Sequence, residues 1–384
     1  MTFLQILWFI LVAVLWAGYL VLEGYGLGTG MLLRIIGKTD DERGQMVRAI
    51  GPHWDGNEVW LISAGGATFA SSPEWYAVMF SGMYIALFLV LLCLIGRIAA
   101  IEWRNKVDTL KWRGTWDTIQ TITAWLVPVL LGVAFGNLVA GMKIIVADPK
   151  TPFVEVGPEN VDIANAGMSQ IHSFIGLGEF PFSQLVSLLI GGSGFAILGG
   201  LVIASLSLVQ GANFLALKTD GAVQERAVAI APKLGLISTI LTAVFAVWGT
   251  FAFKGAGFLF ALIFLVIAAL CLIISLLFAF KGASAKAFTF NSIAIAMAVA
   301  WVFAMLFPNV MKSSIDPAYS LTIAQSSASA GTQIVMTVAA IILVPIVLGY
   351  TIWSVYMFRA RISVAPAGGL EPDKIREGAN FLVG

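Results

Sequence analysis

The chain has 384 residues, of which 59% are hydrophobic and only 11% are charged. Soluble domains carry roughly 25% charged residues, so this composition excludes an ordinary soluble fold and indicates an integral membrane protein. The net charge of +1 argues against a nucleic-acid partner. Cys93 and Cys271 both lie in apolar runs, where we expect small buried side chains rather than a disulfide or a metal ligand.

Windows of about 20 apolar residues, the length that crosses roughly 30 Å of hydrocarbon, predict the membrane spans. Nine such windows occur, so we predict an all-α integral membrane protein with nine transmembrane helices in one polytopic domain. No basic residue precedes the first window and no cleavage site follows it, so we expect it to remain as a span. The predicted spans cover residues 3–30, 53–72, 76–100, 118–142, 183–216, 231–253, 256–280, 287–308 and 333–358.

Two predicted spans are unusual in length. The second is short unless it begins near Pro52, and the fifth is long enough to tilt or to extend past the membrane. Residues 191–194 of the fifth span read Gly-Gly-Ser-Gly, which predicts a packing or unwinding point rather than a phosphate loop.

Glycines of the first span form two small-residue faces. Gly24 and Gly28 lie on one side of the predicted helix, and Gly26 and Gly30 lie nearly opposite. Small residues four apart allow helices in membranes to approach closely. We therefore expect neighbouring helices on both sides of the first span.

Basic residues predict the orientation of the chain. With the N-terminus outside, the inner loops and the C-terminal tail hold eighteen of the 22 Lys and Arg residues. This asymmetry is typical of a nine-span protein whose C-terminus is cytoplasmic. It makes residues 143–182 an acidic extracytoplasmic loop. The four basic residues outside are Lys143, Lys150, Lys254 and Lys312.

Three carboxylates lie where the predicted topology places the inner half of the membrane. Asp55 and Glu58 are about one helical turn apart near the start of the second span, and Glu23 belongs to the first span. An ionisable group in a bilayer costs roughly 2.5–3.5 kcal/mol on insertion scales and usually marks a functional site. We therefore expect these acids to belong to a series of groups that conducts protons. The alternative for Asp55 alone is that it caps a helix that starts after Pro52.

Histidine is scarce in this sequence. Only His53 and His172 could serve as histidine ligands of a haem, and the methionines are expected to be hydrophobic filler. No Ser/His/Asp set, zinc spacing or nucleotide loop occurs either. The sequence therefore predicts a haem-free chain with no catalytic, cofactor-binding or metal-binding residues of its own.

The most specific motif of the chain runs from Pro52 to Leu61 and reads Pro-His-Trp-Asp-Gly-Asn-Glu-Val-Trp-Leu. It resembles the signature of one family, subunit II of the cytochrome bd-type quinol oxidases. The resemblance covers residues 18–217 at motif level and reaches the end of the chain in span count. Further matching stretches are Ser63 to Ala67, Gly132 to Leu138, Arg113 with Trp116 and Asp117, Glu23 with Gly24, and Gln210 to Ala212.

The resemblance implies a quinol:oxygen oxidoreductase complex of the prokaryotic cytoplasmic membrane, which oxidises quinol and reduces dioxygen to water. In that family haems b558, b595 and d lie in subunit I, and subunit II pairs with it as a haem-free partner. The tryptophan-aspartate motif lies on a proposed proton route, which carries over to Trp54 and Asp55. We therefore expect Asp55, Glu58 and Glu23 as relay members, with His53 and Trp54 orienting or gating the entrance.

Other functions stay open from the sequence alone. A secondary transporter with membrane-embedded carboxylates is the main alternative. Many transporters consist of two repeats, and nine spans cannot be divided equally between two repeats. A scaffold subunit without a proton role is a third. The sequence also leaves open a bound quinone or lipid and small accessory subunits.

Overall fold

The computed structural model describes residues 1–148, 151–160, 171–173 and 181–364. Within these ranges eight helices are long and apolar enough to cross a membrane. They are α1 (Phe3–Ile36), α5 (Tyr84–Trp103), α6 (Leu110–Ala140), α8 (Phe195–Lys218), α9 (Gly221–Ala252), α10 (Phe258–Phe280), α11 (Ser284–Leu306) and α13 (Ala330–Met357). The predicted helical membrane protein is therefore confirmed.

The described chain also contains five shorter α-helices. They are α2 (Asp40–Ile50), α3 (Trp54–Ser71), α4 (Pro73–Gly82), α7 (Pro181–Leu189) and α12 (Ile323–Ser326). Helix α3 coincides with the second predicted span and has 18 residues. Its first turns carry Asp55, Asn57 and Glu58, which make it less apolar than the eight helices that could cross a membrane. The nine-span topology therefore stays a prediction.

Two predicted spans are broken helices in the structure. The third is divided into α4 and α5 at Met83, and the fifth is divided into α7 and α8 by the turn at residues 190–194. In that turn Gly192 has φ +60°, Ser193 has φ +58° and Gly194 has φ +94°. Consecutive left-handed residues cannot continue a right-handed helix. The glycine-rich stretch is thus an unwinding point.

Short strands follow α6 and α11 at the same end of the bundle. Strand β1 (Ile144–Asp148) pairs antiparallel with both β2 (Thr151–Glu155) and β3 (Ile171–Ser173), in the order β2-β1-β3. Strand β4 (Asn309–Met311) pairs with β5 (Leu321–Thr322). Strands β1, β2 and β3 belong to the expected extracytoplasmic loop at residues 143–182, of which residues 149–150, 161–170 and 174–180 lie outside the described residues.

Helix α8 packs against α1 through the small residues of α1. A methyl group added at Gly28 would lie 1.8 Å from the carbonyl oxygen of Ser207, so only glycine permits this approach. On the other side of α1, a methyl group at Gly26 would contact Arg97 of α5, and one at Gly30 would contact Ala124 of α6. The two predicted small-residue faces are confirmed, and they place α1 at the centre of the bundle.

Helix α2 is bound to the start of α9 by an ion pair. Arg226 donates to both oxygens of the Glu42 carboxylate, each at 2.8 Å. Glu42 also caps the beginning of α2 by accepting from the backbone N–H groups of Lys38 and Thr39. These donors, the Arg226 guanidinium first, lower the pKa of Glu42 to about 2, so this carboxylate stays charged.

A single methyl group at Gly28 tests the contact between α1 and α8. We expect Gly28→Ala to lower the free energy of unfolding by about 1–3 kcal/mol, because the two backbones must separate. Gly24→Ala is the matched control, since its nearest neighbour would be 3.8 Å away. The measurement is the thermal midpoint of the purified protein. Equal midpoints for the two variants would contradict the close approach.

Candidate functional site

The ionic site inside the bundle is centred on Arg97, a fully buried residue of the apolar helix α5. Its guanidinium contacts the Glu23 carboxylate of α1 through Nη2. Its Nη1 donates to Glu58 Oε1 of α3 at 3.0 Å. The side chains of Arg97 and Glu23 are 0% exposed and that of Glu58 is 10% exposed. Three helices therefore meet at one cation.

The charges of this triad do not balance. Two carboxylates and one guanidinium carry a net charge of −1 when all are ionised. Removing an ion from water costs several kcal/mol, and pairing offsets this cost only where charges are matched. Binding one proton to either carboxylate makes the triad neutral. The site can therefore exist in two protonation states that differ by one unit of charge.

A buried amide lies next to the triad. Asn57 Nδ2 donates to the carbonyl oxygen of Leu22 at 3.0 Å and to the hydroxyl of Tyr25 at 3.0 Å. Asn57 and Tyr25 are each 5% exposed. These bonds connect α3 to the turn of α1 that carries Glu23.

Aromatic side chains enclose the region around Tyr25. Its ring stacks on Phe214 of α8 with centroids 4.3 Å apart. His53, just before α3, meets the edge of Tyr25 at 6.1 Å and that of Phe358 at 5.9 Å. His53 is only 7% exposed. The predicted gate residue therefore lies in an aromatic cage.

Residues 358–363, here called the C-terminal strap, contact this cage through the ring of Phe358. Lys218 at the end of α8 donates to two strap carbonyl oxygens. Arg361 of the strap donates in return to carbonyl oxygens at the end of α8, and Gln45 of α2 donates to a third strap carbonyl at 2.6 Å. The strap is thus fixed by side chains from two helices.

Asp55 and Trp54 lie apart from the buried triad. Asp55 is exposed, and the helix begins with His53 at its N-cap position, where no side-chain capping bond is present. The structure therefore does not support the capping alternative for Asp55. Trp54 Nε1 donates to Glu102 Oε1 at 3.2 Å on an exposed part of the chain. Of the three predicted relay acids, the structure joins Glu23 and Glu58.

Sequence reasoning missed Arg97 as a site residue. It is one of the eighteen basic residues that the predicted topology places inside, because it lies near the end of the predicted third span. The structure buries it, which leaves seventeen predicted inner basic residues against four predicted outer ones. A signal was present, because Arg97 is the only charged residue between Glu74 and Glu102. One cation in an apolar run, together with acids in two other spans, predicts a buried ion pair.

A second ionic cluster lies where α2, the α5–α6 connection and α6 meet. Arg104 donates to Asp40 and to Asp117, at 2.6 and 2.7 Å. Arg43 and Arg113 bind the same two acids from either side, and Arg113 also binds Asp108. Three arginines here match three aspartates. Because the charges balance, we interpret this cluster as a structural connection rather than a proton site.

Two apolar cavities test whether this chain fits a haem. One, of about 440 Å³, is lined by α3 to α6 residues that include Met79 and Met83. The other, of about 160 Å³, lies between α8, α9, α10 and α11. Neither lining, as the structure describes it, contains a histidine, and His53 is enclosed by aromatic rings instead. These two cavities therefore offer no histidine ligand to a haem.

Fold and site together define a polytopic helical membrane protein with ionisable groups paired inside its bundle. The family model for cytochrome bd terminal oxidase subunit II matches residues 4–358. The chain is 36% identical over 366 residues to cytochrome bd ubiquinol oxidase subunit 2 of Bacillus subtilis (strain 168), covering 94% of this chain and 98% of that protein. It is 33% identical to cytochrome bd-I ubiquinol oxidase subunit 2 of Escherichia coli (strain K12), covering 94% and 95%.

The chain therefore belongs to the cytochrome bd terminal oxidase subunit II family. It is a subunit of a membrane oxidoreductase complex of the prokaryotic cytoplasmic membrane, and its designation implies a partner subunit I. A solved structure, the bd oxidase from Geobacillus thermodenitrificans, has the same fold with a TM-score of 0.67. That similarity covers 93% of this chain and 97% of the solved chain at 15% identity. Family membership favours an oxidase subunit over the transporter alternative.

The strap can be tested through the chemical reactivity of His53. We expect Lys218→Met to release the strap and to increase the modification of His53 by diethyl pyrocarbonate several-fold, because the reagent requires solvent access. Peptide mass spectrometry measures the modification, with His172 as internal reference. Lys281→Met, which removes an exposed lysine, is the matched control. Unchanged reactivity of His53 in Lys218→Met would contradict the shielding of His53 by the bonds that Lys218 makes to the strap.

Proposed function

We propose that this chain is the haem-free subunit II of an oxidase that couples quinol oxidation to the reduction of dioxygen to water. Its partner, subunit I, would carry haems b558, b595 and d and oxidise the quinol. The names of the relatives and the scarcity of histidine in this chain support this assignment. The chain itself would support subunit I and supply it with protons from the cytoplasm.

The observation that carries the proton role is the unequal charge of the Glu23–Arg97–Glu58 triad. A balanced ion pair holds no proton that it can release without leaving a charge unpaired. The triad has one acid more than it has bases, so one proton can bind and leave while Arg97 stays paired. This property distinguishes the triad from the balanced cluster at Asp40 and Asp117.

Burial increases along the proposed route. Asp55 is exposed, Glu58 lies one turn further along α3 with 10% of its side chain exposed, and Glu23 is completely buried. Asp55 would therefore collect protons, Glu58 would pass them inward and Glu23 would be the last acid in this chain. Trp54 and His53, which directly precede Asp55 in the sequence, would orient or gate the entrance. Each transfer requires groups that can bind and release a proton within hydrogen-bonding reach or through water.

The route requires the inner end of α3 to face the cytoplasm. We propose nine spans, with α3 as the second, the N-terminus outside and the C-terminus inside. Seventeen inner basic residues against four outer ones support this orientation. Protons taken from the cytoplasm for oxygen reduction would then contribute to the membrane potential without a separate pump.

Reporter fusions test the proposed orientation. A reporter that is active only in the cytoplasm should be active after residue 364 and inactive after residue 160, because these positions would lie on opposite sides of the membrane. Fusion after residue 51, before α3, should also be active. The opposite pattern at residues 160 and 364 would contradict the topology.

Amide substitutions test the proton role of the triad. In Glu58→Gln one carboxylate remains for Arg97, so the pair is neutral and has no spare proton. We expect oxygen consumption per haem to fall about tenfold, with haem content and quinol binding unchanged. Glu23→Gln should behave in the same way. Glu225→Gln is the matched control, since it removes an exposed acid of α9 that takes no part in the triad.

The entrance residue is tested in the same assay. Asp55→Asn keeps the size of the side chain but cannot carry a proton, so we expect slower turnover with normal haems. Combining it with Glu58→Gln should slow turnover further than either change alone. Full activity in Asp55→Asn would show that Asp55 is not an obligatory carrier. Full activity in Glu58→Gln and Glu23→Gln would overturn the proton role of the triad.

A further inference from the structure

Asn57 occupies a special place relative to the two acids of the triad. It directly precedes Glu58 in the sequence, and its amide nitrogen donates to the carbonyl oxygen of Leu22, which directly precedes Glu23. The side chain of Asn57 thus links the backbone beside Glu58 to the backbone beside Glu23. Both hydrogens of this amide are used, since its second bond goes to the hydroxyl of Tyr25.

We propose that Asn57 is a positioning residue that holds Glu23 and Glu58 on opposite nitrogens of Arg97. This inference rests on the proposed proton role and specifies how the triad keeps its geometry. The two acids lie on different helices, and their like charges repel one another. The hydrogen bond from Asn57 to Leu22 opposes this repulsion by fixing α3 against α1. The positions of the two carboxylates relative to Arg97 matter, because small misplacements of reacting groups can lower a reaction rate by large factors.

Tyr25 supports Asn57 from the other side. Its ring is held by stacking on Phe214, and its hydroxyl oxygen accepts from Asn57 Nδ2 at 3.0 Å. The amide is therefore oriented by two acceptors that both belong to α1. Removing the hydroxyl leaves the ring packing and the bond to Leu22 in place, so Tyr25 should contribute less than Asn57.

Gly26 provides the space that this arrangement requires. A methyl group at Gly26 would lie 2.6 Å from Glu23 Oε1 and 2.8 Å from Arg97 Nη2. The ion pair therefore fills the volume that the missing side chain leaves free. Asn57 holds α3 against α1, the two helices that carry the acids, while Gly26 allows Arg97 to reach Glu23.

The experiment uses the intact complex with Asn57→Ala. Infrared difference spectroscopy would follow the C=O stretch of the protonated carboxyl, which is assigned by its loss in Glu58→Gln or Glu23→Gln. We expect this band to shift or broaden in Asn57→Ala. Turnover should fall several-fold while KM for quinol stays unchanged, because quinol binds elsewhere. Asn57→Gln, which keeps the carboxamide, should restore part of both signals.

Asn213→Ala is the matched control for the loss of a buried amide. Asn213 is fully buried in α8 and donates to Val209 of its own helix, so it should leave the band unchanged. If Asn57→Ala does not assemble, Tyr25→Phe serves in its place. It removes one acceptor of the amide while keeping the stacked ring, and a smaller shift of the same band is expected.

The outcomes separate the inference from the function on which it rests. An unchanged band and unchanged turnover in Asn57→Ala, or an unchanged band in Tyr25→Phe where that variant replaces it, would overturn the positioning role while leaving the triad intact. The absence of any carboxyl band that disappears in Glu23→Gln or Glu58→Gln would overturn the spare proton, and with it the proposed function. A band that shifts in Asn57→Ala but not in Asn213→Ala supports the positioning role.

Discussion

The arrangement of the first helices depends on one buried cation. Arg97 cannot lie in an apolar helix without partners, and the carboxylates that satisfy it come from α1 and α3. Its demand for pairing therefore brings α1, α3 and α5 together at one depth. The small residues of α1 make this possible, because Gly26 leaves room for the ion pair and Gly28 lets α8 close the other side.

Helix α3 illustrates how polar residues can be tolerated in a membrane protein. Its first turns contain three polar side chains that an isolated helix would leave without partners from the rest of the chain. In the folded chain Glu58 is paired with Arg97, and Asn57 has two acceptors on α1. Of these three side chains, only that of Asp55 is exposed on the surface of this subunit. The buried groups are thus held by the same contacts that define the site, so structure and proposed function depend on the same residues.

Charge balance distinguishes the two ionic clusters. In the cluster around Asp117, aspartates and arginines are equal in number, so every charge has an opposite one within reach. Such a network connects α2, α5 and α6 and has no reason to exchange protons. The triad at Arg97 has one acid in excess, and none of its side chains is more than 10% exposed. Proton binding is favoured where burial and charge imbalance occur together.

The sequence by itself determined the class, the family and the approximate spans, because hydropathy, composition and contiguous motifs are properties of neighbouring residues. It also identified Glu23 and Glu58 as unusual acids and residues 191–194 as a packing or unwinding point. Only the tertiary structure decided that Arg97 binds both acids, that Asp55 lies outside the triad, and that Phe358 of the strap packs against His53. These contacts join residues far apart in the chain. They depend on how each helix is rotated about its axis and on which helices become neighbours, and local sequence patterns do not specify either.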